Sequence, residues 1–304
     1  MQKKILYIGL GKMGLNMVKR LLGKGYDISV FDLSEEARKQ AEEIGAKVFV
    51  SISDLVASEE APRTVWIMVP HQVVDDVLGE LVPLLSDGDT IIEGGNSRYT
   101  ETVRRAKEIT STGIRFVDAG VSGGPGGALN GAAVMVGGLR EDYDHYEDLF
   151  KDLSVENGYG YMGDHGAGHF VKMVHNGIEY GMMQAIGEGF ELMKKSGLNL
   201  DLVKIAKVYE NGTVVSSRLV TWLKQALEQE GPELSEISGE VSHSGEGLWT
   251  VETAKELGVP IKVIEDALQF RVDSQGNPSY SGQVVSAMRE QFGGHPVRKN
   301  PKSN

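Results

Sequence analysis

The fold is decided near the amino terminus by the stretch KILYIGLGKMG, residues 4–14. Its apolar run passes directly into glycines at positions 9, 11 and 14, and an amphipathic helical pattern follows. In such a stretch the first glycine permits a tight turn, the second lets backbone approach a pyrophosphate, and the third allows close helix–strand packing. The amino end of the helix favours the negative charge of a phosphate. The stretch predicts a Rossmann-type dinucleotide-binding domain, with a glycine-rich turn that binds nothing as the alternative.

The cofactor is indicated by the end of the second predicted strand. Asp32 lies about 20 residues beyond Gly11, where an acidic side chain accepts a hydrogen bond from the adenosine ribose. An NADP site would be expected to present an arginine there, whereas Leu33 and Ser34 follow Asp32. We therefore predict NAD. The residues predicted to bind it are Gly9, Leu10, Gly11, Lys12, Met13, Gly14, Asp32, Val69 and Asn96.

Over roughly the first 160 residues, short β-branched runs alternate with amphipathic stretches, which predicts βαβ units and a mainly parallel sheet. The predicted strands are Lys4–Ile8, Asp27–Phe31, Thr64–Val69, Thr90–Ile92, Arg115–Asp118 and Ala133–Val136. The predicted helices between them are Met13–Lys24, Ser34–Ile44, Val73–Leu78 and Tyr99–Thr110.

After about Gly163 helical periodicity dominates. The predicted helices there are His169–Lys195, Asp201–Glu210, Ser216–Gln229, Val251–Leu257, Pro260–Asp273 and Gln283–Gln291. The predicted fold class is therefore α/β, with a Rossmann-type domain followed by an all-α domain. We predict a dinucleotide-binding domain over residues 1–163, a helical substrate and oligomerisation domain over 164–297, and a disordered tail over 298–304.

Composition narrows the possible partners. The 304 residues carry a formal net charge of −12, which disfavours nucleic acid and anionic membranes, and an anionic substrate would need a local cluster of cations. The absence of cysteine excludes disulfides, thiolate catalysis and cysteine-ligated metal. No apolar run reaches the roughly 18 residues of a membrane helix, and the amino-terminal run is too short for a signal peptide. We expect a cytoplasmic protein.

The segment GAGHFVKMVHNGIEYG, residues 166–181, carries the candidate catalytic residues. In a helix, Lys172, His175, Asn176, Glu179 and Tyr180 share one face, whereas the remaining positions are mostly apolar or glycine. One polar stripe on an otherwise apolar helix indicates a buried helix that faces a polar cavity. Burial lowers the pKa of a lysine and raises that of a glutamate, which would suit a base and an acid. The alternative is a solvated face with a structural Lys–Glu pair.

Two glycine-containing loops complete the candidate site. The run EGGNS, residues 93–97, follows one predicted strand, and VSGGP, residues 121–125, follows the strand predicted to end at Asp118. Open α/β sheets bind ligands at the carboxyl ends of their strands. Backbone amides at these glycines, with Asn96 and Ser122, would bind an anion. Each loop taken alone could equally be a tight turn.

Together these motifs resemble the short form of the 6-phosphogluconate dehydrogenase family, from residue 3 to about 296. The resemblance is carried by His169–Tyr180, Gly94–Ser97, Ser122–Gly124 and the run REQFGGH, residues 289–295. It implies that Lys172 takes the proton of the substrate 3-hydroxyl while hydride passes to NAD. The resulting 3-keto acid loses CO2, Lys172 returns its proton to that oxygen, and Glu179 protonates C1 to give ribulose 5-phosphate, a step of the pentose phosphate pathway.

The resemblance also implies a substrate site and an assembly. Asn176 and His175 would orient the substrate, and Ser122, Gly123 and Gly124 would hold its carboxylate. The implied phosphate site consists of Tyr180, Thr250, Arg271, Arg289 and His295. The family's carboxyl-terminal tail completes the partner subunit's site, so we expect a homodimer or homotetramer. No metal is implied.

One residue departs from the family pattern. Where relatives carry a lysine or arginine that contacts the substrate phosphate, this chain has Leu248. Two other functions stay open at this point. One is a different β-hydroxyacid dehydrogenase, such as one acting on 3-hydroxyisobutyrate, although those relatives generally have Asn-Asn at positions 175–176 and lack Gly-Gly-Asn-Ser. The other is a non-catalytic regulator that senses NADH.

Overall fold

The computed structural model describes residues 3–243 and 245–293. Contacts between Cα atoms divide the chain into two compact units, one up to Met173 and one from Val174 onward. Since this division falls inside a long helix, it differs from the predicted domain boundary at 163/164, which stays a prediction.

The first unit is built on one sheet of eight strands within the described residues. The strands are β1 (Lys4–Ile8), β2 (Asp27–Phe31), β3 (Lys47–Val48), β4 (Thr64–Ile67), β5 (Thr90–Glu93), β6 (Arg115–Ser122), β7 (Ala132–Gly138) and β8 (Ser154–Gly163). Their order is β3-β2-β1-β4-β5-β6-β7-β8. Every pairing is parallel except the antiparallel pair β6–β7. The predicted Rossmann-type, mainly parallel sheet is confirmed.

Helices cover both faces of this sheet. They are α1 (Lys12–Gly23), α2 (Glu35–Glu43), α3 (Ile52–Ala57), α4 (Val74–Leu81), α5 (Tyr99–Thr110), α6 (Gly124–Asn130) and α7 (Arg140–Leu153). Along β1, Ile5 and Tyr7 enter one apolar cluster, and Leu6 and Ile8 enter another. Since successive side chains of a strand point to opposite faces, both faces of the sheet are buried, as parallel sheets require.

The second unit is helical throughout its described residues. A helix that begins in the first unit, α8 (Ala167–Lys195), continues into it, and α9 (Leu202–Glu210), α10 (Arg218–Glu230), α11 (Glu246–Glu256), α12 (Lys262–Asp273) and α13 (Tyr280–Gly293) follow. Its apolar core includes Met183, Phe190, Leu223 and Val284. The predicted all-α second half is confirmed. The tail predicted to be disordered, residues 298–304, lies outside the described residues.

The strand order places a cleft where the predicted cofactor residues lie. β1 has β2 on one side and β4 on the other, so the chain reverses its direction of sheet growth beside β1. At such a switch point the loops after neighbouring strands diverge and leave a crevice at their carboxyl ends. Gly9 follows β1, Asp32 follows β2 and Val69 comes shortly after β4.

Candidate active site

The glycine-rich turn after β1 has the backbone that a dinucleotide requires. Gly9 has a φ of +101°, which side chains rarely adopt. A Cβ atom at Gly9 would overlap the carbonyl of Met68, and one at Gly14 would overlap the carbonyl of Gly9. Gly11 is the amino-terminal cap of α1 and faces open space, with no described heavy atom within 4 Å of an added Cβ. A pyrophosphate therefore fits here, at the amino end of α1.

The carboxylate of Asp32 is held firmly at the end of β2. Its Oδ2 accepts from the amide of Leu10 at 2.6 Å and its Oδ1 from the amide of Ser34 at 2.7 Å. A carboxylate oxygen can accept more than one hydrogen bond, so both can still receive a ribose hydroxyl. Nη1 of Arg38 donates to the carbonyls of Asp32 and Leu33 at 2.6 and 3.1 Å. That arginine is thus engaged with the main chain beside the predicted ribose site.

The loop after β5 presents Asn96 to solvent while its neighbours are buried. Residues 93–95 and Ser97 are buried, and Asn96 is exposed. A Cβ atom at Gly94 would lie 2.5 Å from the indole nitrogen of Trp66, and one at Gly95 would lie 2.8 Å from the carbonyl of Val69. The two glycines therefore let the loop lie directly on β4 and the residues that follow it.

The second glycine loop begins later than the sequence indicated. β6 runs through Ser122 rather than ending at Asp118, because residues 117–122 pair with residues 133–138 of β7. Gly123 and Gly124 then turn the chain with φ values of +129° and +64°, and α6 begins at Gly124. Ser122, Gly123 and Gly124 thus lie together where β6 ends and α6 begins.

Lys172 is buried, with 7% of its surface exposed. Its stem lies across β6: a Cβ atom added to Gly120 would sit 2.5 Å from the Cβ of Lys172. A solvated position for this lysine is therefore ruled out. Since burial of a charged ammonium group is costly unless it has a role or partners, the position supports a functional lysine.

A buried carboxylate that the sequence analysis missed fixes the start of α8. Oδ1 of Asp118 accepts from the amide of Gly166 at 2.7 Å, and its Oδ2 accepts from the amide of His169 at 2.9 Å. Negative charge at this end of a helix is favourable. A Cβ atom at Gly137 would overlap the carboxylate of Asp118, and one at Gly168 would overlap the carbonyl of Met135, so both glycines let α8 approach the sheet. Sequence spacing could not indicate this role of Asp118, because the two amides that donate to it are 48 and 51 positions away along the chain.

Within the second unit, α8 carries the other candidate catalytic residues. Nδ1 of His175 lies 2.9 Å from Oδ1 of Asn176, at hydrogen-bonding distance, and 3.9 Å from Oε2 of Glu179. Asn176 is buried, whereas the side chains of His175 and Glu179 are 38% and 22% exposed. A Cβ atom at Gly177 would contact Thr250 of α11, so this glycine lets α8 and α11 pack closely.

Two buried arginines interact electrostatically with each other in the second unit. Arg271 and Arg289 are 2% and 6% exposed, and Tyr180 and Thr250 are each 5% exposed. The guanidinium carbon of Arg271 lies 3.3 Å from the ring centroid of Tyr180, and Nη1 of Arg289 donates to Ser242 at 2.9 Å. Burial lowers the pKa of Arg271 to about 10 and also lowers that of Arg289. Within the described residues, no hydrogen-bond partner reaches the hydroxyl of Tyr180.

These features fit an anion. Buried guanidinium groups gain most from a ligand that accepts several charge-assisted hydrogen bonds, and phosphate does so. Arg289 interacts electrostatically with Tyr180, Glu179 and Glu246 of its own chain. The expectation that the carboxyl-terminal tail completes the partner subunit's site stays a prediction. Leu248 is 38% exposed on α11. His295 lies outside the described residues.

The described part of the chain shows neither a candidate metal cluster nor a candidate membrane-spanning helix. No group of three or more histidine, aspartate or glutamate side chains there could hold a metal ion. None of the helices found there has the length and apolar character needed to cross a membrane.

Comparison with known proteins gives a consistent result. The family model for the NAD binding domain of 6-phosphogluconate dehydrogenase matches residues 4–163. The model for the C-terminal domain of 6-phosphogluconate dehydrogenase matches residues 168–280. The alternative, 3-hydroxyisobutyrate dehydrogenase, is a distant relative, since solved structures of that enzyme from Mycobacterium tuberculosis and Salmonella typhimurium are only 22% and 19% identical to this chain.

Individual relatives agree with the family models. An NAD(+)-dependent, decarboxylating 6-phosphogluconate dehydrogenase from Haloferax volcanii is 40% identical, over 96% of this chain and 97% of the relative. A Bacillus subtilis protein provisionally assigned to 6-phosphogluconate dehydrogenase is 44% identical, over 97% and 99%. Among solved structures, 6-phosphogluconate dehydrogenase of Plasmodium falciparum is similar with a TM-score of 0.81 and 28% identity, over 94% of this chain and 70% of that one.

Proposed function

The chain belongs to the 6-phosphogluconate dehydrogenase family, and on that premise we propose that it oxidises and decarboxylates 6-phospho-D-gluconate. NAD is the cofactor, and the products are D-ribulose 5-phosphate, CO2 and NADH. The assignment of a phosphorylated substrate rests on the buried pair Arg271 and Arg289 beside Tyr180. A chain with a net charge of −12 repels anions globally, so a local cationic pocket is what a sugar-acid phosphate needs.

The first unit would bind the cofactor. The amino end of α1 would hold the pyrophosphate, and the fixed carboxylate of Asp32 would accept from the adenosine ribose. When bound, NAD supplies the hydride acceptor. Asn96, exposed on its buried loop, would contact both cofactor and substrate.

In the proposed reaction Lys172 acts as base and then as acid. A neutral Lys172 accepts the proton of the 3-hydroxyl as hydride leaves C3, which yields a 3-keto acid. The C1–C2 bond then breaks, and its electron pair moves toward the 3-carbonyl oxygen as CO2 departs. Lys172 returns its proton to that oxygen, and Glu179 protonates the carbon that was C2 of the substrate, which becomes C1 of ribulose 5-phosphate. Each transfer needs a group of suitable pKa at hydrogen-bonding distance.

Other residues would orient the substrate. We assign the carboxylate to Ser122, Gly123 and Gly124, where β6 ends and α6 begins. His175 and Asn176 would hold the hydroxyls and the developing carbonyl.

We assign the phosphate to Tyr180, Thr250, Arg271, Arg289 and His295. Leu248 cannot donate a hydrogen bond, so one charge-assisted contact worth about 1.5–3 kcal/mol is missing from the family pattern. Two buried arginines remain, and we expect them to retain the phosphorylated substrate with a raised KM.

A homodimer or homotetramer is the proposed assembly. Along α8, an apolar stripe with spacings of four, three and seven residues consists of Ile178, Met182, Ala185 and Leu192, and each is exposed. This spacing is typical of a helix that packs along another helix. We name these residues the α8 stripe and propose that a second copy of the chain covers it. We also propose a cytoplasmic location, where NAD and sugar phosphates are available.

A substrate panel tests the proposal. NADH formation is measured with 6-phosphogluconate, gluconate and 3-hydroxyisobutyrate, for the wild type and for Leu248→Lys. We expect turnover of 6-phosphogluconate, with a lower KM in Leu248→Lys, and gluconate as a poor substrate of both. If the wild type prefers gluconate, the phosphate assignment fails. If no acid is turned over but NADH still binds, the chain is a regulator rather than an enzyme.

A further inference from the structure

One deeply buried carboxylate has no role in the proposed reaction. Glu93 is the last residue of β5 and its exposed fraction is 0%. A carboxylate removed from water is costly unless it is paired and hydrogen-bonded. Glu93 lies directly before the loop that presents Asn96, so the partners of its carboxylate can fix the position of that loop.

The first partner closes the Asn96 loop. Oε1 of Glu93 accepts from the hydroxyl of Ser97 at 3.0 Å, across Gly94, Gly95 and Asn96. A Cβ atom at Gly95 would lie 2.9 Å from the same Oε1, so the loop rests on the carboxylate. Asn96 is the exposed member of this buried loop. The Glu93–Ser97 bond therefore closes the loop around Asn96 and restricts its position.

The second partner is a buried arginine. Nη1 of Arg105 donates to the hydroxyl of Ser97 at 3.0 Å and lies 3.7 Å from Oε2 of Glu93. Its Nε and Nη2 donate to the two oxygens of Asp75 at 2.8 and 3.0 Å. Because a two-pronged bond fixes the orientation of a guanidinium group, Arg105 is a rigid support for Ser97 and Glu93.

The third partner lies on the helix that carries Lys172. Oε2 of Glu93 is 3.6 Å from Nδ1 of His169, and that nitrogen is 2.8 Å from the hydroxyl of Thr102. His169 is 1% exposed. It precedes Lys172 by three positions, so the two residues lie one turn apart on α8. A single carboxylate therefore contacts both the Asn96 loop and the first turns of α8, all within the first unit.

We propose that Glu93 is a positioning residue, which fixes Asn96 relative to Lys172 by binding Ser97 on one side and facing His169 on the other. The inference rests on the roles proposed above for Asn96 and Lys172. Removing the negative charge leaves Arg105 paired with Asp75 alone and weakens the link that Glu93 makes between the Asn96 loop and the start of α8. The loop and the helix can then shift independently, and small misplacements of reacting groups cost large factors in rate.

The test is Glu93→Gln, which keeps the shape and an acceptor for Ser97 but removes the charge. We expect kcat with 6-phosphogluconate and NAD to fall at least about tenfold. The dissociation constant of NAD should stay within about threefold, since the glycine-rich turn and Asp32 are untouched.

The matched control is Asp89→Asn. Asp89 directly precedes β5, has an exposed fraction of 0%, and pairs with Arg63 at 3.0 Å. Asp89 thus forms a second carboxylate–arginine pair, at the opposite end of the same strand. We expect Asp89→Asn to lower Tm at least as much as Glu93→Gln and to leave kcat within about twofold of wild type.

Ser97→Ala supplies a second, milder variant that decides the matter if Glu93→Gln fails to fold. Ser97→Ala should also lower kcat more than Asp89→Asn does. In the double variant of Glu93→Gln and Ser97→Ala, the fold-loss of kcat should be smaller than the product of the two single fold-losses. The inference is overturned if the folded Glu93 or Ser97 variants lose no more kcat than Asp89→Asn. A wild-type chain that does not turn over 6-phosphogluconate in the same assay would instead overturn the proposed function.

Discussion

A single carboxylate, Asp32, separates NAD from NADP in the proposed site. Its two oxygens are tied to the amides of Leu10 and Ser34, so it cannot easily turn away from an incoming 2′-phosphate. Arg38, the nearest candidate to bind such a phosphate, donates to two main-chain carbonyls. Both observations favour NAD for the same physical reason, which is that charge and hydrogen bonds are already arranged for a hydroxyl.

We therefore expect kcat/KM to be at least about tenfold higher with NAD than with NADP, since carboxylate–phosphate repulsion and a lost hydrogen bond together exceed ~1.4 kcal/mol. Asp32→Ala should reduce this ratio. Asp27→Ala, at the other end of β2 where Asp27 pairs with Lys47 at 2.7 Å, is the control and should not. Equal efficiency with both cofactors in the wild type would refute the role of Asp32.

Lys172 is the residue on which turnover depends. Lys172→Met preserves an unbranched, largely apolar stem but removes the proton-carrying group. We expect kcat to fall about 10²–10⁴-fold, the usual contribution of general acid–base catalysis, with NAD binding unchanged. Lys204→Met, at an exposed position of α9, is the control. More than a tenth of wild-type kcat in Lys172→Met would show that the lysine is structural.

Among single residues, the sequence indicated those whose roles can be recognised from their near neighbours along the chain. The glycines of the first turn, Asp32 and the helical spacing of Lys172, Asn176 and Glu179 can each be recognised within about 25 residues. Asp118, Glu93 and Arg105 could not be assigned, because their partners are distant in sequence and a lone acidic or basic residue in a strand or helix has many possible roles. Their function becomes visible only once the sheet brings β5, β6 and α8 together.

The element that matters most is α8, and its position depends on Asp118. This carboxylate accepts from the amide just before α8 and from one in its first turn, while Gly120, Gly137 and Gly168 keep the helix close to the sheet. The sequence predicted the helix correctly, although two residues short, because its apolar and polar positions follow helical spacing. It could not predict what holds the amino end, because Asp118 is 48 positions away from Gly166 along the chain.

We expect Asp118→Asn to destabilise the first unit by about 1–3 kcal/mol, because an amide nitrogen would face a main-chain donor and leave it unsatisfied. Tm should fall by about 2–4 °C per kcal/mol in a domain of this size. The control is Asp142→Asn. Asp142 is equally buried, but burial raises its pKa, so an amide there removes a desolvation cost and should not lower Tm at pH 7. An unchanged Tm in Asp118→Asn would contradict the capping role.

Elements without a strong pattern were missed. β8, with the sequence SVENGYGYMG, contains two internal glycines and an asparagine, and its side chains are mostly exposed or half-buried. It forms because β7 offers a partner, and its register shifts along that pairing. β6 was predicted too short for a related reason, since pairing with β7 extends it past Asp118 to Ser122. α6, with the sequence GPGGALN, contains three glycines and a proline, which are the weakest helix formers, and it follows from the turn before it.

At the scale of the whole molecule, the change of pattern after residue 163 predicted a Rossmann-type half followed by a helical half. This was possible because the periodicities of strands and helices differ clearly. Which surfaces meet a second copy could not be predicted from one chain's pattern. The α8 stripe became apparent only when Ile178, Met182, Ala185 and Leu192 proved to be exposed.

We expect light scattering to give a mass of at least twice the 33.0 kDa of one chain. A charge in the middle of an apolar contact is strongly unfavourable, so Met182→Glu combined with Leu192→Glu should shift the mass toward one chain. Val50→Glu, which changes an apolar side chain that is 72% exposed in the first unit, should not. A wild type that is monomeric and fully active would contradict the proposed assembly.

The most direct measurement of the proposed reaction is its stoichiometry with 6-phosphogluconate labelled with ¹³C at C1. NADH is followed by absorbance and labelled CO2 by mass spectrometry in the same reaction. Oxidation at C3 makes loss of C1 easy, so the two products should appear in equal amounts, and both should vanish in Lys172→Met. NADH without labelled CO2, or no NADH with this substrate, would contradict the assignment of this chain as a decarboxylating 6-phosphogluconate dehydrogenase.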